Sequence, residues 1–60
     1  MKRIERKKDL LTLKERYLAA GASEYWVKVI DGCIAEGLAM DETDYENTPT
    51  ELRKLWKGLK

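Results

Sequence analysis

Sixty residues with a single cysteine make at most one domain, near the lower limit for folding without help, and rule out an intrachain disulfide. Charged residues reach 38%, well above the usual quarter or so, beside 43% hydrophobic ones, a balance that suits amphipathic helices better than a disordered tail. The absence of histidine removes the commonest zinc ligand and the commonest general acid–base, so no cofactor or metal is expected and catalysis has little to work with.

The net charge of +1 conceals a sorting into blocks: +4 over residues 1–21, −6 over 22–47 and +3 over 48–60. Such a chain can recognise a charged partner or attract its own other end. Residues 1–8 look like the basic start of a signal peptide, but no apolar segment follows: Thr12 interrupts Leu10-Leu11, and Lys14-Glu15-Arg16 comes soon after. The lone thiol then points to a reducing, cytoplasmic setting. No stretch approaches the roughly 18 apolar residues of a membrane span, so no membrane partner is expected.

A first helix is predicted over residues 4–20. Leu10, Leu13 and Tyr17 form one row, Leu11 and Leu18 a neighbouring row that Ile4 would extend, and Gly21 is placed to stop the helix in a left-handed cap. The basic arm 1–8, almost devoid of apolar side chains, is expected to fray. A second helix is predicted over 23–36, with Ser23 as N-cap, a stripe of Trp26, Val29, Ile30, Cys33 and Ile34, the pair Glu24–Lys28, and Gly37 as terminator. The alternative is a short central hairpin turning at Asp31-Gly32, because residues 25–30 are rich in strand formers. Residues 38–47 read as an acidic connection, long for so small a bundle. A third helix is predicted over 49–59, announced by Thr48-Pro49-Thr50-Glu51 as cap, first residue and capping-box acid, with Leu52, Leu55, Trp56 and Leu59 on one face.

The expected fold class is therefore all-α, a compact three-helix domain, with α+β as the hairpin alternative. Its core is predicted from Leu11, Leu18, Trp26, Ile30, Ile34, Leu52, Leu55 and Trp56. Since small helical cores are marginal, self-association as a homodimer or binding to a partner is expected to supply part of the stability.

Few residues carry chemistry. Cys33 lies on an apolar stripe with no base in prospect and reads as a small buried hydrophobe. Counted from Asp41, a calcium loop would need glycine at its sixth position and glutamate at its twelfth; Glu46 and Leu52 stand there instead. Leu18-Ala19-Ala20-Gly21-Ala22-Ser23 resembles the turn of a helix-turn-helix. In that family a small residue lies four positions before the glycine and an apolar one six positions after; Val27 matches the second, whereas Tyr17 stands at the first. The resemblance implies a DNA-binding regulator, yet the would-be reading helix carries Glu24, Asp31 and Glu36 against Lys28, which phosphates would repel. The basic residues able to meet DNA lie elsewhere: Lys2, Arg3, Arg6, Lys7 and Lys8 in the arm, and Arg53, Lys54 and Lys57 in the third helix, a layout similar to homeodomain-like folds.

Protein recognition fits more of the sequence. Asp41, Glu42, Asp44 and Glu46 around Tyr45 would present a negative surface to a basic partner, and tyrosine and tryptophan are common interface anchors. The expectation is a small non-catalytic regulatory or adaptor protein that binds another protein, with DNA binding through helices 1 and 3 as the alternative. Such size and charge polarity are frequent among phage and mobile-element accessory factors.

Overall fold

A computed structural model describes residues 3–59. They build an all-α domain: α1 (Lys7–Ala19), α2 (Glu24–Glu36), the short α3 (Glu42–Asn47) and α4 (Thr50–Arg53), the last running into a 3-10 turn at Lys54–Trp56. No strand occurs among the described residues, and α2 passes unbroken through Asp31-Gly32, so the hairpin alternative is excluded. β geometry is confined to one isolated antiparallel bridge between Ile4 and Met40.

α1 and α2 pack against each other and are joined by the turn the glycine foretold. Gly21 sits at φ 75°, the Gly21 amide donates to the Leu18 carbonyl and the Ala22 amide to the Tyr17 carbonyl, the paired bonds of a Schellman cap. Gly37 ends α2 in the same way at φ 69°. The Glu24–Lys28 pair forms at 3.6 Å and is solvent-exposed, while Lys14 on α1 reaches Asp31 on α2 at 2.7 Å.

Helix 1 begins later than residue 4. Its N-cap position is Arg6, which makes no side-chain capping bond, forgoing about 1 kcal/mol that a good cap supplies. Ile4 instead leaves the helix and is fully buried, with its amide donating to the Met40 carbonyl at 2.7 Å and the Met40 amide returning the bond at 2.9 Å. Complete burial of an isoleucine stabilises by about 1.5–3 kcal/mol, more than an uncapped extra turn offers. Within the arm, Ile4 is buried and bonded to Met40; Lys2 lies outside the described residues.

The third helix is also shorter than 49–59. Pro49 occupies the N-cap position rather than the first turn, and Glu51 makes no capping bond. Thr48 is buried, and its hydroxyl donates to the Asp44 carbonyl at 2.8 Å instead of capping α4. The chain tightens to 3-10 geometry at Lys54, reaches Lys57 with ψ 131° and turns at Gly58 with φ 84°. The carbonyls of Leu55 and Lys57 are satisfied by the Arg16 guanidinium at 2.7 and 2.9 Å, so the backbone needs no further helical turn there.

The core consists of Ile4, Leu10, Leu13, Tyr17, Ile30, Met40, Leu52 and Trp56. Leu11 and Leu18, predicted inside, are 43% and 56% exposed. Two apolar rows run along α1 and only one can face the interior; the Leu10–Leu13–Tyr17 row takes that side, where Tyr17 meets Trp56. Trp26, Ile34 and Leu55 pack against the core while remaining half-buried. A Cα radius of gyration of 10.0 Å is close to the value of about 10.4 Å for a compact chain of this length.

Candidate functional site

The acidic segment is where local sequence and tertiary packing combine most closely. Asp41 caps α3: its Oδ1 accepts from the Thr43 amide at 3.0 Å and the Asp44 amide at 3.2 Å, while Asp44 Oδ2 accepts from the Asp41 amide at 3.0 Å. This reciprocal capping box turns an apparent connection into a helix. The amide of Asp44 holds the Asp41 carboxyl below its ordinary pKa of 3.8, against the opposing effect of desolvation, with help from the Thr43 amide, the Asp44 side chain and the charge of Arg3.

The other end of α3 is closed by Arg53. Its Nε donates to the carbonyls of Thr48 (2.8 Å) and Tyr45 (3.2 Å), its Nη2 donates to that of Glu46 (2.6 Å), and the guanidinium lies 5.5 Å from the Tyr45 ring centroid. A cation at a helix C-terminus satisfies orphan carbonyls and opposes the helix dipole. Tyr45 then packs edge-on against Trp56, ring centroids 5.1 Å apart, which anchors α3 to the core.

The five residues of the acidic set are therefore brought together on one capped turn and a half. Glu42 and Glu46 are exposed, Asp41 and Asp44 half-exposed, and Tyr45 half-buried. Among the described residues, no carboxylate of this set forms an ion pair; the three pairs present are Arg3–Glu5, Lys14–Asp31 and Lys28–Glu24. Cys33 lies nearby: partial burial first, then the charges of Asp44 and Glu36, raise its thiol above the ordinary 9.0, so it stays protonated near neutral pH.

The basic set is dispersed. Arg3 pairs with Glu5 at 3.2 Å, and Arg6, Lys7 and Lys8 stand exposed at the start of α1. Arg53 directs its Nε and Nη2 to carbonyls at the end of α3, and Lys54 and Lys57 belong to the 3-10 turn and its end, not to a continuous basic helix. Lys54 also lines a cleft of about 510 Å³ between the α1–α2 turn and α4, shared with Trp26, Pro49, Leu52 and the polar Ser23 and Glu51. Among the described residues, no three His, Cys, Asp or Glu side chains gather as a metal cluster, and no helix is long and apolar enough to cross a membrane.

Two functional details escaped the sequence. The Asp41…Asp44 spacing is a capping signature that could have been read. The role of Arg53 depends on the extended Thr48-Pro49 link that sets α4 beside the end of α3, which no local pattern announces. No protein-family model, no curated protein and no solved structure matches this chain.

Proposed function

We propose that this chain is a small non-catalytic adaptor or regulatory module whose α3 segment binds a basic segment of another protein. One observation carries the reading: Asp41, Glu42, Asp44 and Glu46 share one capped helix without an ion pair among the described residues, while the adjacent guanidinium of Arg53 bonds to main-chain carbonyls. A carboxylate cluster without an ion pair among the described residues can attract cations from outside, and complementary charge speeds encounter and fixes orientation. Tyr45 and its capped backbone give the cluster a fixed shape, which limits the ordering cost of binding.

The test is fluorescence anisotropy with a labelled lysine/arginine-rich peptide, and in parallel with a labelled DNA duplex, at low and near-physiological salt. Glu42→Gln/Glu46→Gln keeps the capping box and should abolish peptide binding. Duplex binding that survives this change and disappears in Lys54→Gln/Lys57→Gln would replace the protein reading with the DNA one.

A further inference from the structure

The second apolar row of α1 lies outside the core and is only partly covered by the described residues. Leu11 and Leu18 lie seven positions apart, within about 20° of each other around the helix and more than about 90° from the buried Leu10–Leu13–Tyr17 row. They are 43% and 56% exposed; Tyr25 and Leu38 are the other large exposed hydrophobic residues among those described, and neither lies on α1. Between them on the same face stand Lys14 and Glu15. Lys14 already holds Asp31 at 2.7 Å, but its side chain keeps a third of its surface and an ammonium has three donors.

We propose that this face binds a second copy of the chain, with the two α1 helices antiparallel about a two-fold axis between residues 14 and 15. That register is self-complementary in every respect the sequence controls. Leu11 of each copy meets Leu18 of the other, twice by symmetry. Lys14 of each meets Glu15 of the other, so each ammonium bridges two carboxylates, its own Asp31 and the incoming Glu15. An isologous interface requires this reciprocity, because every contact must occur twice with the roles exchanged.

The arrangement also accounts for an unfavourable feature of α1. Lys7 and Lys8 stand beside Asp9 in its first turn, at the positive end of the helix dipole, and Arg6 provides no side-chain cap. In the antiparallel pair, Lys8 falls opposite Gly21 of the other copy, where α1 ends in carbonyls and negative dipole. The lysines that weaken their own helix start stabilise the neighbour's helix end.

Sedimentation equilibrium of the full chain from micromolar to about 1 mM tests the proposal. The expected result is a monomer–dimer equilibrium that Leu18→Glu weakens by at least about tenfold, since each substitution acts twice. Glu15→Lys alone should weaken it likewise by setting Lys14 against a lysine. Mixing Glu15→Lys with Lys14→Glu should restore a dimer, now mixed, because both cross-contacts again pair opposite charges; far-ultraviolet dichroism verifies that each variant is folded. A wild-type chain that stays monomeric throughout overturns the proposal. So does a dimer indifferent to Leu18→Glu, or charge variants that fail to rescue each other.

Discussion

The indole Nε1 of Trp56 donates a buried 2.9 Å hydrogen bond to the phenolic oxygen of Tyr17, residues that are 39 positions apart. This bond lies on the buried face of α1, and the edge-on contact of Trp56 with Tyr45 links the same pair to α3. Tyr17→Phe keeps the ring and strands the indole N–H. It should cost about 1–3 kcal/mol, read as a lowered urea midpoint with unchanged slope.

Gly32 lies inside α2, and a β-carbon there would meet nothing within 4 Å. Gly32→Ala should therefore stabilise the domain by about 0.5–1 kcal/mol, the helix-propensity difference. Gly21→Ala, at φ 75°, should destabilise it instead. Thermal unfolding of the two variants side by side checks both signs.

Arg53→Gln removes the clamp on the carbonyls of Tyr45, Glu46 and Thr48. The half-exposed setting moderates the loss to about 1–2 kcal/mol, and the effect should concentrate in α3. Hydrogen exchange should show faster amides over residues 45–48 while those of α1 and α2 keep most of their protection.

Asp41 contributes a pH dependence whose sign follows from its lowered pKa. The stabilisation is fully present above 3.8 and is lost as pH falls through the lower native value. Asp41→Asn should flatten the acid limb of the stability curve in that window. Urea midpoints collected from pH 5 downward would show it.

Cys33 should react slowly with iodoacetamide at neutral pH, its rate rising with a midpoint above 9.0. Removing the nearby charge by Asp44→Asn should move that midpoint down. Loss of burial would move it too, so the variant's helicity is measured alongside.

Much of this fold was legible because its signals are local. Gly21 and Gly37 need a positive φ and end their helices; Glu24 and Lys28 stand one turn apart and pair. What failed was anything decided by contacts distant in sequence. Leu11 and Leu18 are as apolar as Leu10 and Leu13, and the difference between the rows lies in contacts from distant parts of the chain, the Trp56 indole on Tyr17 and the Leu55 and Lys57 carbonyls on Arg16 among them. Thr48 reads as a cap for α4 until burial gives its hydroxyl to Asp44 instead. The acidic residues of the candidate site were visible as composition, whereas their shape depends on Arg53, which the same reading assigned to nucleic acid.

The bonds that close this domain join residues far apart in the chain: Ile4 to Met40, Arg16 to Leu55 and Lys57, Tyr17 to Trp56. Helical domains usually fold fast because their contacts are local. Here each closure must first constrain a loop of roughly forty residues. Refolding should accordingly be slow for a helical chain of this size, and neither terminal half should persist as a folded fragment once cut from the other.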